Sequence, residues 1–322
     1  MKTSPALNQK DKNDKNFILI ILAFLAIYII WGSTYLFNKI AVKEIAPLLL
    51  ASIRFSISAV LMLILSKFFG LSIKINFKQA INCCIAGFLF LGFGNGALVW
   101  ALQYIDSSLA ALQTSLQPLV VLILMRIING KKISFLSFMG VVFGFFGMIL
   151  LVNQDEIITN QESYSAMFMI FLCMIGWGVA SIFVKKAELP DNSFVNTAYQ
   201  MIFASVFLIF GSIIFGERWS SPAEWSYTAK TSLIFLIVFG SIVAFTSFNY
   251  LLQMVSPEKV STSNYVNPIV AIILGWYFLD ENITSQTILA SFILLIGVFF
   301  INSKKKIILF QSYKGKLKNK KG

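Results

Sequence analysis

The stretch WGSTYLFNKIAVKE (Trp31–Glu44) decides how the chain is read, because WGVASIFVKKAELP (Trp177–Pro190) repeats its outline 146 residues later. Trp31-Gly32 meets Trp177-Gly178, Phe37 meets Phe183, Lys39 meets Lys185 and Ala41 meets Ala187. A second register, at an offset of 150, lays Ser107–Leu151 over Pro257–Ile301. Pro118 then falls on Pro268, Gly147 on Gly297 and, just outside, Gln103 on Gln253. The chain therefore reads as two related halves.

The composition says what solvent those halves meet. Of 322 residues, 57 % are hydrophobic, 32 are Phe and only 12 % are charged, about half the charged share of a soluble domain. Such a chain has more apolar side chain than one core can cover, and lipid is the simplest solvent for the remainder. The net charge of +12 is concentrated in the tails, with four lysines in 1–16 and eight in 303–322. Each tail abuts an apolar stretch, so anionic headgroups suit them better than nucleic acid, and no basic face of a folded domain is visible. Cys83, Cys84 and Cys173 all sit in apolar runs without metal-ligand spacing, and there is no His. No metal or cofactor is expected.

Crossing roughly 30 Å of hydrocarbon takes about 20 helical residues. Ten apolar segments meet that length: Phe17–Phe37, Pro47–Ser66, Ala80–Leu102, Ser107–Ile128, Ile133–Val152, Ser163–Val184, Ser193–Ile214, Thr231–Leu252, Val260–Leu279 and Gln286–Ile301. They are too long and too weakly alternating for barrel strands, and helices satisfy their own backbone in lipid. With ten spans and both ends inside, 21 Lys and Arg fall on the inner side, four on the outer side, and Arg54 inside a span. That bias predicts cytoplasmic termini. Five spans per half turn the second half over. The expected fold is thus an all-α polytopic membrane protein of ten transmembrane helices in two inverted five-helix repeats. The expected organisation is a basic tail (1–16), a first repeat (17–152), an outer linker (153–162), a second repeat (163–302) and a basic tail (303–322).

Three stretches in order carry a family resemblance: WGSTYLFNKIAVKEIAPLLLASIRF (Trp31–Phe55), GNGALVWALQYIDSSLAAL (Gly94–Leu112) and NPIVAIILGWYFLDENIT (Asn267–Thr284). They resemble the EamA-type permeases of the drug/metabolite transporter superfamily over about residues 20–302. The resemblance implies ten helices, cytoplasmic ends, inverted repeats and export of amino acids or other small metabolites. It places the chain in a bacterial cytoplasmic (inner) membrane.

The polar residues within spans are the candidates for binding or gating. Arg54 lies seven residues beyond Pro47, about 10 Å deep, where a guanidinium needs a cavity, a partner or an interface to reach. It suits a reader of a substrate carboxylate, a gate latch or a snorkelling structural residue. Trp31 and Tyr35 share a helix face and suit either a pocket wall or interfacial anchors; Trp177 is the second-half counterpart of Trp31. Asn95, within a glycine-rich run, needs a hydrogen-bond partner, and Trp100 suits a cavity wall. Gln113 and Gln117 share a face just before Pro118, as Asn264 and Asn267 precede Pro268. An amide beside a mid-helix proline kink suits a polar binding locus, or else a tie between helices. Asn249 is a further candidate.

No acidic residue lies in the middle of a span, which disfavours the usual buried-carboxylate proton relay and a cationic substrate. No reactive constellation or nucleotide loop marks an enzyme, and no ring of charge marks a channel. The sequence reading is therefore a secondary transporter for small zwitterionic or anionic metabolites, working by alternating access. A non-transporting membrane scaffold or regulator is the alternative. The expected partners are a small metabolite and the bilayer; monomer and homodimer both remain open.

Overall fold

The computed structural model describes residues 17–130, 134–153, 161–255, 260 and 263–302. The two basic tails, Asp155, Glu156 and most of the proposed linker lie outside the described residues. Among the described residues, apolar helical segments follow one another as α1 (Phe17–Ala41), α2 (Pro47–Phe68), α3 (Phe77–Ala101), α4 (Ser107–Ile128), α5 (Phe135–Val152), α6 (Gln161–Phe183), α7 (Ser193–Ile214), α8 (Tyr227–Met254), α9 (Ser263–Leu279) and α10 (Ser285–Asn302). Among the described residues, α1–α4 and α6–α8 are the seven helices long and apolar enough to cross a bilayer, while α5, α9 and α10 contribute shorter apolar segments. Large apolar side chains stand exposed along helix middles, including Val60 on α2, Phe168 on α6, Phe207 on α7 and Phe292 on α10. Such a surface belongs in lipid, and the chain is a multi-pass membrane protein.

Capping explains where several ends depart from the sequence expectation. α3 starts at Phe77 rather than Ala80 because Asn76 and Gln79 form a reciprocal capping box. α8 starts at Tyr227 rather than Thr231 because the Ser226 hydroxyl accepts from the Ala229 N–H at 3.2 Å. α2 and α7 each end one residue before a Phe-Gly pair, Phe69-Gly70 and Phe215-Gly216. Both glycines take a left-handed φ, +69° and +66°, which ends a helix without the Cβ penalty. These matching ends extend the offset of 146 through a second pair of helices.

Counterpart helices meet one another. α2 packs on α7, α5 on α10 and α4 on α9, and α1 touches α6 through Trp31 and Trp177. The contacts use small residues where backbones come close. The matched glycines Gly147 and Gly297 both lie at the α5–α10 contact: a Cβ on Gly297 would stand 2.8 Å from the Gly140 carbonyl oxygen, and one on Gly147 2.8 Å from Leu294. On α3, a Cβ at Gly87 would collide with the Gln200 carbonyl oxygen and lie 3.0 Å from the Gln200 Cα on α7. Backbone cannot swing away as a side chain can. Gly87→Val should therefore cost about 2 kcal/mol, seen as a lower thermal unfolding midpoint in detergent, whereas Gly70→Asn at an open turn should change little.

Among the described residues, three helices contain π-helical stretches: Ala26–Ile30 in α1, Phe88–Asn95 in α3 and Leu236–Phe245 in α8. The last two are repeat counterparts at the offset of 150. Wider turns of this kind leave the hydrogen-bond ladder less regular and often mark functional positions. α4 is broken between Thr114 and Gln117, with Pro118 in the first turn of the second segment. Pro268, by contrast, lies inside the continuous helix α9.

Candidate functional site

Among the described residues, Arg54 is the one charge set deep within the helices. Its side chain is only 4 % exposed, sealed by α1 and the π-helical part of α8. Its Nε donates to the Ser241 hydroxyl at 2.7 Å, its Cζ stands 5.0 Å from the Phe55 ring, and its Nη1 has no hydrogen-bond partner. The glycine before Ser241 makes the room: a Cβ on Gly240 would lie 3.0 Å from Nη2 and 2.9 Å from the Thr34 methyl. Ser58, one turn along α2, donates to the Arg54 carbonyl at 2.7 Å and the Ile237 carbonyl at 3.3 Å, tying α2 to α8. Among the described residues the only ion pair within 4 Å is Lys78–Glu188, far along the chain from this site. Arg54 is thus a buried cation without a carboxylate. Its repeat counterpart, 146 residues on, is Gln200, also buried, whose Nε2 donates to Asn196 at 2.8 Å.

One turn before Thr34, Trp31 joins an aromatic cluster drawn from both halves. Its ring meets Trp177 edge-on at 5.8 Å and Phe248 at 5.0 Å. Trp177 also meets Phe90 at 4.8 Å, Phe248 at 5.6 Å and Phe245 at 6.4 Å. Trp31 and Trp177 both keep partial exposure, so the cluster is not sealed. α1 therefore presents Trp31 to the aromatics, Thr34 towards Arg54, and Tyr35 to Thr114, whose hydroxyl lies 2.6 Å from the Tyr35 phenol oxygen.

The amides lie elsewhere, and three of them point at backbone. Gln113 Nε2 donates to the Met167 carbonyl at 2.6 Å and Gln117 Nε2 to the Met174 carbonyl at 3.0 Å, both on α6. Oriented to satisfy its surroundings, the Asn267 amide donates to the Ile27 and Tyr28 carbonyls at 3.0 Å, inside the π-helical stretch of α1. Asn249 donates to the Thr197 hydroxyl at 2.9 Å. These contacts are ties between helices. Asn95 has a buried Oδ1 without a partner, Asn264 is half-buried on α9, and Trp100 packs on Tyr104 at 5.0 Å. Ser241, Gly240, Phe90, Phe245 and Phe248 were not singled out by sequence. The spacing of Phe245 and Phe248, one face of one helix, was the available signal, submerged among 32 phenylalanines.

The helix end beyond Lys39 carries a second polar group. Lys39 Nζ donates to the Ile105 carbonyl at 2.7 Å. Asp106 precedes α4 and suits an N-cap by residue type, yet its side chain makes no capping bond; Glu281, 6 % exposed, takes that role instead. Burial and the neighbouring Glu281 hold the Asp106 carboxyl above its ordinary range, against the pull of Lys39.

Comparison with known proteins agrees with this architecture. The model of the EamA-like transporter family matches residues 18–153 and 164–303. An uncharacterized inner membrane transporter of Escherichia coli K12, YedA, is 30 % identical over 284 residues, covering 88 % of this chain and 90 % of its own. The uncharacterized transporter YoaV of Bacillus subtilis is 25 % identical over 294 residues, covering 90 % and 100 %. A protein chain of known crystal structure superposes with a TM-score of 0.63 at 16 % identity, covering 87 % of this chain and 95 % of that one, which speaks for the fold alone. The chain belongs to the EamA-like transporter family.

Proposed function

From membership of a transporter family, we infer that the chain moves a small carboxylate-bearing metabolite, an amino acid or a related zwitterion or anion, outward across a bacterial cytoplasmic membrane. The proposed topology is ten spans in two inverted repeats, with both termini in the cytoplasm and alternating access between the halves. Arg54 is the observation that carries the substrate class. A guanidinium without a carboxylate is costly to bury, and the cost is not demanded by the fold, since Gln200 fills the symmetry-related position with a neutral amide. A substrate carboxylate would supply the missing acceptor, in the forked geometry that arginine favours. The aromatic cluster beside it, with Trp31 and Trp177 partly exposed, suits the apolar part of such a ligand.

The amides take a different role in this reading. Gln113, Gln117, Asn249 and Asn267 hold helices against one another through bonds to backbone or hydroxyl groups, and Asn95 and Gln113 each keep a buried carbonyl oxygen without a partner, able to accept from a ligand.

The test is the medium of cells that express the protein, compared with cells carrying an empty vector. A small set of amino acids or organic acids should accumulate outside only with the protein. Accumulation of organic cations alone would refute the substrate class, and purified protein in liposomes loaded with the same compounds would show whether the movement is direct.

A further inference from the structure

Three glutamates gather at one end of the bundle, and each holds the start of a helix from the other half. Glu44, between α1 and α2, accepts from the Ser226 N–H and the Ser226 hydroxyl, both at 2.6 Å, where α8 begins. Those two bonds hold the Glu44 carboxyl below its ordinary range. Glu217, between α7 and α8, accepts from the Leu48 and Leu49 N–H groups at 2.9 Å, where α2 begins, and from Ser212 at 2.6 Å. The loops that lead into α2 and α8 thus exchange carboxylates. Glu281, between α9 and α10, reaches α4 and accepts from the Ser107 N–H at 2.7 Å and the Ser108 N–H at 3.0 Å. Gly275 on α9 admits it: a Cβ there would collide with Glu281 Oε2. All three share one end, because Glu44 lies three residues before α2, whose start Glu217 holds, and Lys39, on the same end of α1, donates to Ile105 beside Ser107. At the opposite end the halves are joined by Glu188, through an exposed ion pair to Lys78 at 3.1 Å and a bond from Asn76 at 2.8 Å.

We propose that Glu44, Glu217 and Glu281 form a clasp that closes the transport path at this end, and that its release opens the path there. The proposal rests on the transporter reading. Its physical basis is that a helix start carries N–H groups with no partner in the helix and a partial positive charge, both of which suit a carboxylate. When the halves part, water satisfies both sides. Such a contact is firm when closed and reversible when opened, unlike a buried apolar seal. Ordinary caps in this protein come from the residue next to the helix, as Asn76 does for α3 and Asn192 for α7. The three glutamates instead come from the opposite half.

The experiment reads how often this end opens. Cys83, Cys84 and Cys173 are replaced by alanine, and Thr34, 8 % exposed and about two turns below the end of α1, becomes cysteine. Full-length protein in liposomes is then treated with a water-soluble maleimide, with and without Glu44→Gln and Glu217→Gln together. The clasp predicts labelling faster by on the order of tenfold, the effect of removing two capping carboxylates. An unchanged labelling rate overturns the proposal even if the unfolding midpoint falls, since loss of a merely structural cap lowers only stability. Glu281→Gln alone keeps the α2–α8 exchange and supplies the same readout should the double variant fail to fold; no acceleration there likewise counts against the clasp. The readout needs no substrate, so its failure is separable from failure of the substrate reading.

Discussion

Replacing Arg54 by glutamine should leave the protein folded in the membrane and lower carboxylate transport by roughly a hundredfold. The two halves of this expectation rest on different observations. Folding should survive because the guanidinium holds a single neutral partner, Ser241, and leaves Nη1 bare, so its removal ends a burial cost rather than breaking an ion pair. The symmetry-related Gln200 shows that an amide fits this depth between packed helices. Transport should fall because removing one partner of a desolvated, hydrogen-bonded charge pair costs about 2–5 kcal/mol, much of it from leaving the ligand's carboxylate buried and unpaired. Arg54→Lys should recover only part of the loss, since an ammonium keeps the charge but lacks the planar fork. The measurement is initial efflux from loaded liposomes at matched protein content. Equal efflux from the parent and Arg54→Gln would make Arg54 a structural residue. Unfolding of Arg54→Gln with parental behaviour of Arg54→Lys would point the same way.

How far the sequence foretold this site depends on what each residue answers to. The helices were legible because lipid imposes length and apolarity on each segment separately, and the repeat was legible because a tryptophan-glycine pair and two prolines keep their spacing. Arg54 stood out for the same reason: one charge among apolar neighbours is visible without knowing the fold. The amides left two readings open by type. An amide within an apolar span demands a partner, but the demand is met equally by a ligand or by a carbonyl on the next helix, and only packing decides. Gln113 and Gln117 found α6; Asn267 found the π-helical stretch of α1. Those wider turns leave no periodic mark in the sequence. The roles of Glu44, Glu217 and Glu281 leave no mark in the sequence, since their meaning lies in which helix they meet, some 170 to 180 residues away in the chain.

The second large effect should come from Trp177→Ala, which empties the aromatic cluster where the halves meet. Trp177 touches one ring from α1, one from α3 and two from α8, so its loss removes packing on several helices at once. In water such a truncation costs about 3–5 kcal/mol, partly from transfer of the ring and partly from the cavity left behind. In lipid the transfer share shrinks, because the unfolded helices still rest in an apolar solvent; the packing share remains. A loss of about 3 kcal/mol is therefore expected, read as a lower midpoint in thermal or denaturant unfolding in detergent. The cavity should not collapse easily. α3 approaches here without a side chain, since a Cβ on Gly94 would lie 2.6 Å from the Trp177 ring, and Gly94 has nothing with which to fill the gap. Trp177→Phe keeps an aromatic edge towards Phe90 and should recover most of the stability. A Trp177→Ala protein as stable as the parent would mean that the two halves are held elsewhere, by the α2–α7 and α5–α10 pairs, and that the aromatic cluster serves a ligand rather than the fold.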